Sequence, residues 1–110
     1  MAVQDERQSS QATPPVSITV FFPCYNEQDN VARVARRAVE VLEGLRADYE
    51  ILLVNDGSAD NTGRIADEFA AANPRVRAIH HPRNRGYGGA LQSGFRAATK
   101  ELVFYTDGDG

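Results

Sequence analysis

Short apolar runs alternate along the chain with longer segments in which apolar residues recur every three or four positions. The runs are rich in β-branched and aromatic residues, which favour strands. They predict strands at residues 17–23, 49–55, 76–80 and 101–106. The periodic segments predict helices, because positions three and four apart share one helical face. These segments lie at about residues 27–44, 63–72 and 87–99.

The first predicted helix has both a start signal and a buried face. Asn26 is predicted to cap it, with Glu27 and Asp29 in the first turn, where carboxylates suit the helix dipole. Its apolar positions predict one buried face, made of Val31, Val34, Ala38, Val41, Leu42 and Leu45.

The order of these elements is strand–helix repeated three times and closed by a strand. Short connections between such elements predict an α/β fold with a parallel sheet and right-handed crossovers. The second strand has a nearly continuous apolar centre, Ile51-Leu-Leu-Val54, preceded by Glu50. Such a run is typical of a strand that is buried on both faces of a parallel sheet.

Residues 1–15 differ from the rest of the chain. They are polar, end in two prolines and lack the apolar centre of a signal peptide. This composition predicts a disordered tail followed by one folded unit at residues 16–110.

Composition and charge exclude several classes of function. Lys and Arg total 12 against 15 for Asp and Glu, so the net charge of −3 argues against a nucleic-acid partner. A single cysteine, Cys24, excludes a disulfide framework and a cysteine-based zinc site, and it is predicted to be a small buried apolar side chain. No apolar run in the 110 residues approaches the roughly 20 residues that a membrane helix needs.

Polar, charged or turn-forming residues follow each of the four predicted strands. They lie at residues 23–27, 55–58, 83–86 and 107–109. In an open α/β sheet, ligands bind outside the carboxyl ends of the strands. The sequence therefore predicts that these segments share one rim and form a ligand site.

The last of these segments, Asp107-Gly108-Asp109, places two carboxylates two positions apart. Both could converge on one magnesium ion if Gly108 lets the backbone bend, or one could bind the metal while the other holds a water or a ligand hydroxyl. Either arrangement suits a diphosphate ligand, because two anions meet only with a cation between them. The alternative is an ordinary exit from a strand, since Asp-Gly is favoured in turns.

Asp56 follows the second predicted strand and begins the segment Asp56-Gly57-Ser58. One interpretation is that its carboxylate accepts hydrogen bonds from a base or a sugar. The other is that the segment only starts the next helix, because Asp and Ser cap helices and Gly opens turns.

The glycines at residues 86–89 predict a helix N-terminus whose backbone a ligand can approach closely. Arg83 and Arg85 would then lie close enough to bind phosphate oxygens, although a solvated basic loop is the alternative. His80 and His81 are adjacent, so on a strand they would point to opposite faces, which argues against a shared metal.

Taken in order, these segments resemble the N-terminal half of the catalytic domain of family 2 glycosyltransferases. The resemblance is greatest to the polyprenyl-phosphate branch, which includes dolichol-phosphate mannose synthase, and it covers residues 17–110. It is carried by Pro23-Cys-Tyr-Asn-Glu27, residues 49–58 with Asp60 and Thr62, Asn84-Arg-Gly86, Ala90, Gly94 and residues 105–109.

The resemblance implies a GT-A fold, of which this chain would form the Rossmann-like, three-layer βαβαβαβ half. It implies nucleotide-sugar contacts from Pro23, Tyr25, Glu27, Asp56 and Asp107. It also implies a divalent metal, Mg²⁺ or Mn²⁺, held by Asp109 and, in one arrangement, by Asp107 as well. Asn55 departs from the pattern, because many members carry Asp there.

The activity that the resemblance implies is transfer of a sugar, with inversion and metal dependence, from a UDP- or GDP-sugar to a polyprenyl or dolichyl phosphate. The catalytic base and the acceptor-binding residues are expected beyond Gly110, so the fragment alone is expected to be inactive. The full-length protein is expected at the cytoplasmic face of a membrane. The alternative is a nucleotide-binding α/β module without catalysis.

Overall fold

The computed structural model describes residues 15–107 as an α/β unit. The predicted tail, apart from Pro15, and the predicted metal ligand Asp109 lie outside these residues. In chain order the elements are β1 (Ser17–Cys24), α1 (Val31–Gly44), β2 (Asp48–Asn55), α2 (Thr62–Ala72), β3 (Val76–His80), α3 (Gly86–Ala97) and β4 (Leu102–Tyr105). The strands form one parallel sheet in the order β3-β2-β1-β4, which confirms the predicted fold class.

The centre of the sheet is the pair β1 and β2, which are in register along their whole length. Ser17 lies opposite Asp48 and Cys24 lies opposite Asn55. Every β2 residue after Asp48 is buried, as its apolar centre predicts for a strand with layers on both sides.

Helices cover both faces of the sheet. On one face, Phe22 and Leu53 pack against buried residues of α1 and α2. On the other face, Phe21 and Leu52 pack with Ala90 of α3. Adjacent residues of one strand therefore serve two different cores, which gives the predicted three layers.

The direction of winding reverses between β1 and β4. From β1 the chain proceeds outward to β2 and β3, and it then returns to add β4 on the other side of β1. Such a reversal opens a crevice at the carboxyl ends of the two strands, where ligands of open α/β sheets bind.

Gly94 allows α3 to approach the sheet closely. A Cβ atom at this position would overlap the ring of Phe21 in β1. Only a residue without a side chain fits this crossing, which accounts for glycine at this position of the predicted motif.

The predicted start of the first helix is wrong. α1 begins at Val31, and Asn26 has a left-handed backbone with φ of 54° instead of a capping conformation. Glu27 and Asp29 consequently precede the helix. The physical reason is tertiary, because the segment before α1 is hydrogen bonded to the loop that follows β2.

The predicted buried face of α1 is correct only in part. Val31, Val34 and Leu42 are buried, but Val41 is 47% exposed and Leu45, beyond the end of the helix, is 67% exposed. The exposed positions border an apolar groove between α1 and the edge strand β4. Among residues 15–107 no element packs over this groove, so this part of the predicted buried face of α1 stays exposed.

Candidate functional site

A cavity of about 270 Å³ opens at the carboxyl ends of the strands, at the point where the winding reverses. It is lined by Pro23, Cys24, Tyr25, Glu27, Asp56, Asn84, Tyr87, Ala90 and Asp107. Loops that follow all four strands contribute, as predicted for a shared rim. The apolar groove beside β4 is larger, but its lining offers few polar groups to orient a ligand.

The loop after β1 is joined to the loop after β2 by reciprocal hydrogen bonds. The backbone N–H of Asn26 donates to Ser58 Oγ at 2.9 Å, and Asn26 Oδ1 accepts from the N–H of Ala59 at 2.9 Å. The N–H of Glu27 donates to Thr62 Oγ1 at 2.7 Å. These bonds fix the backbone between Pro23 and α1, which carries three of the predicted nucleotide-binding residues.

A second pair of contacts extends this joint. The N–H of Gln28 donates to Asp60 Oδ2 at 3.2 Å, and Gln28 Oε1 accepts from the N–H of Asn61 at 3.1 Å. Desolvation raises the pKa of Asp60, but hydrogen bonds from Thr62 and Gln28 outweigh it and hold the pKa below its usual value. Ser58, Asp60 and Thr62 therefore act as supports of the neighbouring loop, a role that local sequence reasoning did not identify.

Asp56 lies almost completely inside the protein, with 3% of its surface exposed. Its Oδ1 accepts hydrogen bonds from His81 Nδ1 at 2.7 Å and from the backbone N–H of Arg85 at 2.8 Å. Its Oδ2 accepts from Asn84 Nδ2 at 3.2 Å. The side chain faces the loop after β3, and α2 begins only at Thr62, so Asp56 does not cap that helix.

Gly57 allows close contact between the loop after β2 and the loop after β3. Its φ is +71°, and a Cβ atom there would overlap the backbone nitrogen of Asn84. A larger residue would push the loop after β3 away and would separate Asp56 from its donors.

His80 and His81 point to opposite faces of the sheet, as predicted. His80 Nε2 lies 2.8 Å from Asp67 Oδ1 of α2, whereas His81 Nε2 lies 2.7 Å from Ser93 Oγ of α3. Asn55, where the resemblance leads us to expect Asp in many relatives, lies 2.9 Å from His80 Nδ1 through its Nδ2. An amide can donate to this ring nitrogen, which a carboxylate cannot, so the neutral residue fits its neighbour.

Two tyrosine rings lie at the mouth of the cavity. Tyr25 is 50% exposed and Tyr87 is 54% exposed. Tyr87 and Asp107 both line the cavity. Partial desolvation and the negative charge of Asp107 together raise the pKa of Tyr87.

Cys24 is buried beneath the cavity, with 2% of its surface exposed. Burial, assisted by the charge of Glu27, raises the pKa of its thiol to about 12. The prediction of a small buried apolar side chain is confirmed, and a thiol in this state is a poor nucleophile.

The described residues contain part of the predicted metal site. Within residues 15–107 no group of three or more His, Cys, Asp or Glu side chains is arranged to hold a metal ion. Asp107 lines the cavity, whereas Asp109 lies outside the described residues. Arg83 and Arg85 are exposed beside the amino end of α3, and neither lines the cavity.

The sequence model of glycosyl transferase family 2 matches residues 19–110 of this chain. The chain belongs to glycosyl transferase family 2. The resemblance drawn from the motifs is thereby confirmed over nearly all of the predicted folded unit.

Curated relatives lie in the same branch as the motifs indicate. The chain is 39% identical over 107 residues to the glycosyltransferase AglD of Haloferax volcanii, which covers 94% of this chain and 17% of that protein. It is 35% identical over 100 residues to the dolichyl-phosphate beta-glucosyltransferase ALG5C of Trichomonas vaginalis, covering 86% of this chain and 30% of that protein. The chain thus spans less than a third of either relative.

Two solved structures share the fold of this chain. The mannosyltransferase PcManGT from Pyrobaculum calidifontis, in complex with GDP-Man and Mn²⁺, superimposes with a TM-score of 0.77 at 28% identity, covering 88% of this chain and 28% of that chain. TarS from S. aureus, in complex with UDP-GlcNAc, superimposes with a TM-score of 0.71 at 19% identity, covering 86% and 27% respectively. The expected GT-A type of α/β fold is confirmed. None of the helices within residues 15–107 has the length and apolar character needed to cross a membrane.

Proposed function

We propose that the chain is the donor-binding part of an inverting, metal-dependent glycosyltransferase that uses a UDP- or GDP-sugar. The observation that carries this proposal is the composition of the cavity at the crossover of β1 and β4. It combines two aromatic rings with a fixed, buried carboxylate and with a further carboxylate at the end of β4. The flat base and the sugar hydroxyls of a nucleotide-sugar match the aromatic rings and the carboxylates of this lining, and its diphosphate requires a cation between it and the carboxylates.

Each predicted nucleotide-binding residue has a place in this proposal. The segment from Pro23 to Glu27 would line the nucleotide pocket, with the exposed ring of Tyr25 available for contact. Asp56 would accept a hydrogen bond from the base, because three donors hold its carboxylate while one of the roughly four acceptor positions on its two oxygens is left open. Asp107 would bind the ribose or the metal.

A divalent cation fits the charge of this cavity. Glu27, Asp56 and Asp107 all line it, so a diphosphate would meet three carboxyl groups without a compensating charge. Asp109, with Asp107 in one arrangement, would hold Mg²⁺ or Mn²⁺, since both ions accept carboxylate and phosphate oxygens. When bound, the cation would neutralise the charge that develops on the departing nucleoside diphosphate. Mn²⁺ is present beside GDP-Man in the PcManGT complex, which supports this assignment.

The acceptor that we propose is a polyprenyl or dolichyl phosphate. The name of the Trichomonas relative, a dolichyl-phosphate beta-glucosyltransferase, supports this class. An acceptor phosphate oxygen would form the new bond to the anomeric carbon while the bond from that carbon to the diphosphate oxygen breaks, which inverts the configuration. Because the phosphate oxygen is already an anion, it needs little help from a base. The described residues would bind and orient the donor in this step.

The chain alone is proposed to bind the donor without transferring the sugar, because it spans under a third of the relatives described above. The complete protein is proposed to act at the cytoplasmic face of a membrane. Reading the coding sequence beyond codon 110 tests the acceptor-binding half and the membrane location directly. An acceptor-binding half followed by hydrophobic spans supports the proposal, and a coding sequence without them contradicts the membrane location.

The test of the site is calorimetric titration of the 110-residue chain with UDP and GDP, with and without Mn²⁺. Asp109→Ala should abolish the metal-dependent part of binding. Glu101→Ala is the matched control, because it removes the same charge from an exposed position before β4, at the end of that strand away from the cavity. Binding that is indifferent to metal would instead favour a nucleotide-binding module without catalysis. Measurable sugar transfer by the 110-residue chain would contradict the proposed need for an acceptor half.

A further inference from the structure

A hydrogen-bonded series of side chains runs from the cavity into α3. It is buried at Asp56 and His81 and half-buried at Ser93, and His81 and Ser93 lie outside the motifs that support the proposed function. His81 Nδ1 lies 2.7 Å from Asp56 Oδ1, and His81 Nε2 lies 2.7 Å from Ser93 Oγ. The side chains of His81 and Asp56 are only 3% and 5% exposed. The sequence separates Asp56 from His81 by 25 positions and His81 from Ser93 by 12.

The chemistry of the partners determines the proton positions along this chain. A carboxylate at Asp56 can only accept, so His81 Nδ1 carries a hydrogen. In the neutral imidazole, Nε2 then accepts the hydroxyl hydrogen of Ser93. In the imidazolium, Nε2 donates to Ser93 Oγ instead. Because a hydroxyl can take either role, Ser93 holds the ring in one orientation in both states.

The order carboxylate–imidazole–hydroxyl also occurs in hydrolases, but Ser93 is not placed as a nucleophile. It lies within α3, and it is not among the residues that line the cavity. Its neighbours in the helix use their backbone N–H groups in helical hydrogen bonds and so cannot form an oxyanion hole. The chain of hydrogen bonds therefore acts on the Asp56 carboxylate.

We propose that His81, oriented by Ser93, is a positioning residue that holds the Asp56 carboxylate in the orientation needed to recognise a nucleobase. This inference rests on the proposed function, which assigns the base contact to Asp56. His81 and the backbone N–H of Arg85 share Oδ1, which leaves Oδ2 to face a ligand beside Asn84. Without the imidazole, Asp56 loses the shortest of these bonds, and its carboxylate is free to rotate.

The experiment compares a nucleoside diphosphate with inorganic pyrophosphate, both titrated into the 110-residue chain in the presence of Mn²⁺. The ratio of the two affinities isolates the part of binding that depends on the nucleoside. His81→Gln should lower this ratio about tenfold, the expected loss for a hydrogen bond to a charged group. His81→Asn should stay within about threefold of the parent chain, because an Asn amide can donate from near the position of Nδ1.

Two further variants separate positioning from general loosening. Ser93→Ala leaves the imidazole in place but releases its orientation, and it should lower the ratio by about threefold. His80→Asn is the matched control, because His80 faces α2 and should leave the ratio unchanged. Pyrophosphate affinity should stay the same in all four variants.

The outcomes distinguish this inference from the proposed function. A preference for the nucleoside diphosphate that survives in His81→Gln and Ser93→Ala overturns the positioning role and leaves the proposed function intact. Equal losses for both ligands also overturn it, because they indicate a purely structural role. If the parent chain binds pyrophosphate as tightly as it binds the nucleoside diphosphate, the proposed donor site and the inference are both overturned.

Discussion

The hydroxyl of Thr19 in β1 donates a hydrogen bond of 2.7 Å to the Glu50 carboxylate in β2. Glu50 is 8% exposed, and it also accepts from the N–H and hydroxyl of Thr99 and from the guanidinium of Arg77. One carboxylate thus joins three strands to the segment that leads into β4. Because Asp107 follows shortly after β4, the contacts of Glu50 help to fix the position of the Asp107 carboxylate in the candidate site.

Replacing Glu50 with alanine should destabilise the fold markedly. The change leaves two threonine hydroxyls and a guanidinium without their shared acceptor, and we expect a loss of about 3 kcal/mol in the free energy of unfolding. Urea denaturation followed by circular dichroism measures it. Glu101→Ala, at an exposed position close by, should change stability by less than about 0.5 kcal/mol. Equal stabilities for the two variants would contradict the structural role of Glu50.

The Glu50 carboxylate should also make the free energy of unfolding depend on pH in the acidic range. Burial raises the pKa of Glu50, but the hydrogen bonds from Thr19, Thr99 and Arg77 outweigh it and hold the pKa below the ordinary value of 4.5. A folded-state pKa below the unfolded value stabilises the protein above about pH 4.5, and that contribution is lost as the pH falls through the folded-state pKa. Glu50→Gln should therefore show a shallower decline in the free energy of unfolding below pH 4.5 than the parent. An unchanged slope would contradict this.

The elements of the fold could be predicted from the sequence, but one helix start could not. The buried strands could be predicted because a strand covered on both faces is mostly apolar, as residues 51–54 of β2 are. Asn26 looked like a cap because cap preferences are local. Its actual conformation depends on Ser58 and Ala59, more than thirty positions away. Contacts of this range leave no periodic trace in a single sequence.

The candidate site was predictable to a similar extent. The rule that ligands bind at the carboxyl ends of strands predicts that Tyr25, Asp56 and Asp107 share one rim, and all three line the same cavity. The residues that orient them were missed. His81 and Ser93 carry no motif of their own, and only the packing of α3 against the sheet makes them neighbours of Asp56.

Gly94→Ala should destabilise the contact between α3 and β1. The added methyl group would overlap the ring of Phe21, so the helix must move or the ring must leave its position. Overpacking of this kind costs about 2 kcal/mol, which thermal unfolding would reveal. Gly88→Ala is the control in the same helix, because its Cβ would meet nothing within 4 Å. That variant should be slightly more stable than the parent, by about 0.5 kcal/mol.

Cys24 should resist thiol reagents in the folded protein. A pKa raised from 9.0 to about 12 reduces the thiolate fraction at neutral pH about a thousandfold. Burial also blocks access to the sulfur. Labelling with a chromogenic disulfide should therefore be slow in buffer and rapid in concentrated urea. Rapid labelling of the folded chain would show that the floor of the cavity is more open than the structure indicates.

Asn26 should be replaceable by glycine at a lower cost than by alanine. Both changes remove the hydrogen bond from the N–H of Ala59 to Asn26 Oδ1, but only alanine must also adopt the unfavourable φ of 54°. Left-handed backbone costs an alanine about 1 kcal/mol, so Asn26→Ala should be less stable than Asn26→Gly by about that amount in urea denaturation. The backbone of Tyr25 and Glu27 depends on this turn, so nucleotide affinity should fall in the same order. Equal stability and affinity for the two variants would show that the loop does not need its left-handed residue, and that the joint between the loops after β1 and β2 does not shape the cavity.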